Sequence, residues 1–286
     1  PRSDWIYWVN QSHIKHTLTL HSAPQKIGEQ LEKLLFGQKQ SVILTGATLS
    51  TNNTFDHIRE RTGFSNANEM ILGSPFNYRQ SALLCVPEDI PEPSFWEYQP
   101  AIEQAIIDAC VAAGGRSMAL FTSHASLRAT TQSIRNKLRS HNISLLAQGI
   151  DGTPHQLLQS FLKNPQTLLL GTASFWEGVD LSGDSLKVLL VARLPFSVPK
   201  EPVFEARSEL YEDPFNEYAI PQAILRLRQG FGRLIRTKLD RGAVIILDRR
   251  IVSRKYGKEF INSLPPVTFK TCKLQNLKKE ITEWIS

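Results

Sequence analysis

The stretch TLLLGTASFWEGVDLSGDSLKVLLVA, Thr167–Ala192, decides the fold class. Two apolar runs, Thr167–Gly171 and Leu186–Ala192, flank a mixed polar and aromatic insert. Apolar runs without alternation belong to strands of a parallel sheet covered on both faces, because a sheet with one wet face would alternate apolar with polar. Working outward, Ser81–Pro87, Ser117–Thr122, Ile143–Gln148 and Ala243–Leu247 read as further strands. Between them lie helical patterns at Gln99–Ala113, Ala125–Ser140, Pro221–Ile235 and Ser253–Leu264. The first carries Ile102, Ile106, Ile107 and Cys110 on one stripe and stops at Gly114-Gly115. Another helix starts at Thr153, a capping residue followed by Pro154, and turns Leu157, Leu158, Phe161 and Leu162 inward. Six strands with helical crossovers predict an α/β fold: a doubly wound, mostly parallel sheet with helices on both faces.

The first 80 residues are less regular. Trp5–Asn10 and Lys15–His21 read as paired strands, and Pro24–Phe36 as a helix with Ile27, Leu31, Leu34 and Leu35 inward. Ser41–Thr45 reads as an apolar strand, Thr51–Ser65 as a polar helix with its connector. Ser197–Pro214, with Pro199, Pro202 and Pro214, reads as an extended excursion outside the sheet. At 286 residues the chain allows one large or two modest domains. Hydrophobic content of 41% and charged content of 21% describe an ordinary globular chain. The apolar runs are far shorter than the ~18 residues that a membrane span needs, and no charged-then-apolar leader opens the chain. Three cysteines, Cys85, Cys110 and Cys272, stand far apart in the chain, which argues against a disulfide framework or a CxxC pair. A reducing, cytoplasmic setting is expected.

Net charge is +6, from 33 basic and 27 acidic residues. That total fits a polyanion partner and a solvated surface equally well. Its distribution is more informative: Arg226, Arg228, Arg233, Arg236, Lys238 and Arg241 crowd one segment with Asp240 as the one acid. Doubly wound sheets bind ligands at the carboxyl ends of their strands. Read in order, those ends carry Thr45-Gly46-Ala47-Thr48-Leu49, then Thr122-Ser123-His124, then Gly171–Asp180. Thr122-Ser123-His124 is by itself an ordinary helix cap, and Gly-Ala-Thr an ordinary turn. Ser174-Phe175-Trp176 places a hydroxyl beside two aromatics, which in a loop are either buried or meet a ligand; the second alternative suits a nucleic-acid backbone with stacked bases. In Gln229–Arg236 (QGFGRLIR), Arg233 and Arg236 are spaced to share a helix face. Gly230 and Gly232 each cost a helix interior about 1 kcal/mol. That cost implies close approach by a backbone or a phosphate, and the arginine pair suits charge on a transferring phosphoryl group.

Taken together, Thr45–Leu49, Leu120–His124, Gly171–Asp180 and Gln229–Arg236 resemble motifs III, IV, V and VI of superfamily 2 helicases, in order. The wording SFWEGVDLSGD at Ser174–Asp184 and QGFGRLIR at Gln229–Arg236 resembles the DinG branch of the DinG/XPD family. Ser74-Pro75-Phe76-Asn77 and Tyr256-Gly257-Lys258 are further local matches, and the likeness runs from about Leu18 to Pro265. The resemblance implies a RecA-like fold and the second of two motor domains that clamp ATP and walk along single-stranded DNA, 5′ to 3′. It implies Arg233 and Arg236 as arginine fingers, with Gln229, Gly178 and Asp180 lining the nucleotide cleft. It implies Thr122, Ser123, His124, Ser174, Phe175 and Trp176 on the DNA, and Thr48 as the coupling residue. Where many relatives have Ser before the motif III Ala, this chain has Gly46.

No GxxxxGK[ST] phosphate loop, DEAH-like Mg²⁺ pair or four-cysteine iron–sulfur set occurs in the sequence. The resemblance assigns all three to the first motor domain, which would hold ATP and Mg²⁺. With Pro at residue 1, the expectation is an excised piece, inactive alone: 1–50 returning from the first motor domain and 51–286 forming the second. Its partners would be single-stranded DNA and the first motor domain, with no membrane. Two rival readings remain: the DNA-holding part of a DinG-like exonuclease, and a non-catalytic nucleic-acid-binding module.

Overall fold

A computed structural model describes residues 2–11, 17–51, 54–176 and 185–286. Its contacts divide the chain into two compact units, Pro1–Gly73 with Phe196–Leu225, and Ser74–Pro195 with Arg226–Ser286. In the first, β1 (Trp5–Gln11) and β2 (Leu18–Pro24) form the expected antiparallel pair, registered Trp8 to His21. The following helix is shorter than its pattern implied, Gly28–Leu34, and leaves Leu34 and Leu35 exposed. It packs through backbone instead: a Cβ on Gly28 would lie 2.7 Å from the Gly63 nitrogen, at the end of the helix Asp56–Thr62. Phe36 is the buried side chain there, against Phe64. Ser41–Thr45 forms no strand, and Ile43 is 86% exposed. An apolar run becomes a strand only where a partner completes its ladder, and the described residues supply none here. Within the excursion, Pro202–Ser208 is helical, and Arg207 donates to the carbonyls of Pro24 and Gln25 at 3.2 Å each.

Among its described residues the second unit holds seven strands: β3 (Ala82–Pro87), β4 (Ser117–Leu120), β5 (Ser144–Ala147), β6 (Thr167–Gly171), β7 (Val188–Val191), β8 (Gly242–Ile246) and β9 (Thr268–Cys272). All pair parallel, in the order β5-β6-β4-β7-β8-β3-β9. Six of them are the six read from the sequence. The seventh, β9, escaped because TFKTC is an edge strand with one covered end and an exposed middle, so it carries no apolar run. A final helix, Leu277–Ile285, was missed with it. The helices Tyr98–Ala112, His124–Arg139 and Leu277–Ile285 cover one sheet face, enclosing Leu83, Ala119, Leu170, Leu190 and Ile245. Residues of the opposite face, such as Leu84, Met118, Leu169 and Val244, are equally buried. Each such side chain contributes about 1.5–3 kcal/mol on leaving water. This is a parallel sheet with helices around it, as its apolar strands implied. No described helix is long and apolar enough to cross a membrane.

Burial also gathers residues that lie far apart in sequence. Cys85 on β3 and Cys272 at the end of β9 bring their sulfurs to 3.4 Å, although neither is disulfide-bonded. Chain separation therefore says nothing about their spatial separation.

Candidate functional site

Short strands ending at one sheet edge deliver a row of small polar groups. β4 ends at Leu120, and three residues on, Ser123 caps the helix His124–Arg139 by accepting from the amides of Ala125 (3.2 Å) and Ser126 (3.5 Å). That cap turns His124 outward, with Nε2 3.3 Å from the Thr172 hydroxyl at the end of β6. Thr172 is tied to Gln148, past the end of β5: its amide (2.7 Å) and hydroxyl (3.1 Å) both reach Gln148 Oε1. Gln148 Nε2 donates in turn to Ser174 Oγ at 2.9 Å. The chain His124–Thr172–Gln148–Ser174 therefore runs along three neighbouring strand ends. Its direction is set by chemistry: Ser174 accepts from the amide, so its own O–H points elsewhere as a donor. Thr122 and His124 are exposed beside it. Gln148 and Thr172 were not singled out in the sequence; a polar residue one or two places past a strand end was the available signal.

Phe175 and Trp176 stand differently from what Ser-Phe-Trp suggested. Phe175 is fully buried and Trp176 only 3% exposed. Phe175 packs over Gly171, where a Cβ would come within 2.6 Å of the ring, and the Trp176 indole N–H donates to the Phe121 carbonyl at 3.4 Å. Rings enclosed in this way present no stacking face; they fix the backbone that carries Ser174. The same indole explains Gly230. A Cβ there would sit 3.2 Å from the Trp176 ring, so the close approach that a helical glycine implied is to an aromatic side chain, not to a backbone or phosphate.

The helix is Ile220–Phe231, shorter than the span to Ile235. Beyond Gly230 the hydrogen bonds tighten, from Arg233 to the Gly230 carbonyl and from Leu234 to the Phe231 carbonyl, and the helix closes in a turn. Arg233 and Arg236 therefore lie past its end and share no helix face. Arg233 is 5% exposed, while Arg236 faces solvent. Asp240 holds this turn, accepting from the Arg236 amide (2.7 Å), the Thr237 amide (2.8 Å) and the Thr237 hydroxyl (2.7 Å). Burial raises the Asp240 pKa, but these hydrogen bonds outweigh it and hold the carboxyl below its ordinary value. Gln229 Oε1 is buried without a hydrogen-bond partner among the described residues. Gly178 and Asp180 lie outside the described residues. Thr48 is half-buried in a turn of the first unit.

At the ends of β7 and β8 sits a second polar group, unmarked by any motif read in the sequence. Asp248 is fully buried and accepts from Leu194 N (3.0 Å), Arg250 Nε (2.8 Å) and Arg250 Nη2 (2.6 Å). Those bonds raise the Arg250 pKa against the opposing effect of burial. The buried Tyr98 hydroxyl reaches the Ala192 and Leu247 carbonyls, the latter at 3.1 Å, and clamps the same two strand ends. The described residues hold no cluster of three or more His, Cys, Asp or Glu for a metal.

Residues 106–267 match the helicase C-terminal domain family. The chain is 40% identical over 265 residues to the ATP-dependent DNA helicase YoaA of Haemophilus influenzae, covering 91% of this chain and 40% of that protein. It is 36% identical over 274 residues to the 3′-5′ exonuclease DinG of Bacillus subtilis, covering 91% of this chain and 29% of that protein. The chain thus spans less than half the length of these curated relatives. Among solved structures, an XPD helicase superposes with a TM-score of 0.64 at 15% identity, over 88% of this chain and 46% of the other; that likeness concerns the fold alone.

Proposed function

The chain belongs to the helicase C-terminal domain family, and on that premise we propose that it is the second RecA-like motor unit of a longer, DinG-like ATP-dependent DNA helicase. In this reading residues 1–50 return from the first motor unit, which supplies the phosphate loop and the Mg²⁺ ligands, and the cytoplasm is the setting. The observation that carries the reading is one unit that holds both a polar side-chain network along three strand ends and an arginine turn held by Asp240.

Hydroxyl and amide donors hold a phosphodiester without reading its sequence and release it readily, as stepping along single-stranded DNA requires. Thr122, His124 and Ser174 touch the strand in this reading, Ser123 presents His124, and Phe175 with Trp176 keep Ser174 in place. ATP bound by the first motor unit of the longer protein supplies the phosphoryl group to be cleaved. Arg236, and Arg233 behind it, place positive charge where negative charge develops on that group. Gln229, Gly178 and Asp180 serve the nucleotide in this reading, and Thr48 couples nucleotide to DNA. Translocation runs 5′ to 3′. Three scattered cysteines make no iron–sulfur set in this chain.

Binding of a fluorescent oligo-dT by the chain alone tests the DNA half of this reading. We expect saturable, sequence-tolerant binding that weakens at least twofold in Ser174→Ala; equal affinity in wild type and variant would refute it. A second reading, the DNA-holding part of an exonuclease, draws on the name of the Bacillus subtilis relative. Mg²⁺-dependent release of nucleotides from single-stranded 3′ ends by the longer protein would favour it.

A further inference from the structure

We propose that Cys85 and Cys272 are a peroxide-responsive thiol pair whose disulfide staples the edge strand β9 to β3. The two sulfurs lie 3.4 Å apart although 187 positions separate them in the chain. The parallel register pairs Cys85 with Lys270 and Pro87 with Cys272, so the cysteines sit two residues apart across the ladder and point to the same sheet face. A disulfide requires a separation of about 2.05 Å, so the pair must close by a further ~1.4 Å. β9 can yield that distance because it is the last strand of the sheet and is hydrogen-bonded along one side only. Its middle, Phe269–Thr271, is exposed, and Cys272 at its carboxyl end is 8% exposed, so a small oxidant reaches it. Cys85 is fully buried behind it.

The two thiols differ in the way that an attacking and a resolving cysteine differ. The two thiols share one hydrogen bond in which either sulfur can be the donor, and at Cys272 that bond outweighs burial and holds the pKa below its ordinary value. The same bond, with burial, pushes the Cys85 pKa far up. Cys272, at the exposed end of the pair while Cys85 lies fully buried, is the sulfur that meets the oxidant and attacks as the thiolate. Its sulfur takes one oxygen of hydrogen peroxide: the S–O bond forms, the O–O bond breaks, and the departing hydroxide picks up a proton as water. Cys85 sulfur then attacks the sulfenic sulfur; the S–S bond forms, the S–O bond breaks, and the hydroxide leaves with the Cys85 proton as a second water. Two thiols lose two electrons and two protons, and one peroxide becomes two waters. Cys110 supplies an internal control, because burial pushes its thiol up to about 12 and leaves it a poor nucleophile. The staple would close a loop containing both polar strand ends and the arginine turn, so it acts on the sheet that carries the whole candidate site.

The test is intact-mass spectrometry of the chain after hydrogen peroxide, followed by denaturation and alkylation. The expected product is about 2 Da lighter than the reduced chain, accepts one alkyl group, at Cys110, and returns to three after dithiothreitol. Cys110→Ser should oxidise equally, and Cys85→Ala should leave Cys272 as a sulfenic acid that a cyclic diketone probe captures. Three alkylatable cysteines in peroxide-treated wild type, or a disulfide that maps to Cys110, would overturn the proposal.

Discussion

Gln148 occupies the middle of the polar chain, and the consequences of removing it separate structure from binding. Its Oε1 is the acceptor for the Thr172 amide, and Thr172 is buried. Gln148→Ala leaves that amide unpaired, so chemical denaturation should show a loss of about 1–3 kcal/mol. Ser174→Ala, at an exposed side chain, should leave stability unchanged and weaken single-stranded DNA binding by about 1 kcal/mol, roughly fivefold. Because Ser174 is neutral, the slope of log K against log salt should not change, whereas loss of a phosphate-bound Lys or Arg lowers it by ~0.7 on single strands. A slope change in Ser174→Ala would mean that the hydroxyl does not act as proposed. Asp248 offers a different kind of residue test. Its carboxylate is buried and paired with Arg250, so Asp248→Ala should cost about 3 kcal/mol by urea titration. A cost below ~1 kcal/mol would show the pair to be dispensable.

Among the elements, the helix Ile220–Phe231 carries the most consequential contact, Gly230 against Trp176. On helix propensity alone Gly230→Leu should stabilise by nearly 1 kcal/mol. The indole 3.2 Å from the added Cβ reverses the sign, and overpacking should cost about 1–3 kcal/mol. A stabilised variant would place the helix further from Trp176 than described. This element also shows how far sequence reading reaches. The strands were legible because buried parallel strands are apolar on both faces and need no tertiary knowledge. The helix end was not, since a glycine records only that something lies close, not whether it is a phosphate or an indole. Ser-Phe-Trp was open in the same way: aromatics beside a hydroxyl are either a stacking surface or buried, and only the structure shows Phe175 and Trp176 inside. Ser123 could be read either as a DNA contact or as a cap, and its side chain is engaged in capping. Ser41–Thr45 was apolar enough for a strand, but pairing is a property of two segments and cannot be read from one.

At the scale of the whole molecule, the family and the fold account for a RecA-like unit that presents arginines, while the proposed catalysis needs a phosphate loop that this sequence does not contain. The proposed division of labour therefore locates ATP hydrolysis between this unit and the one before it. Arg236 is the appropriate probe because it is exposed, so its loss should leave the fold intact, whereas buried Arg233 serves packing as well. The decisive measurement is ATP turnover with and without single-stranded DNA in the longer, two-unit protein, comparing wild type with Arg236→Ala. The account predicts DNA-stimulated turnover in wild type, a loss of about 10³-fold or more in the variant, and an unchanged DNA Kd. Turnover in Arg236→Ala close to that of wild type would contradict it.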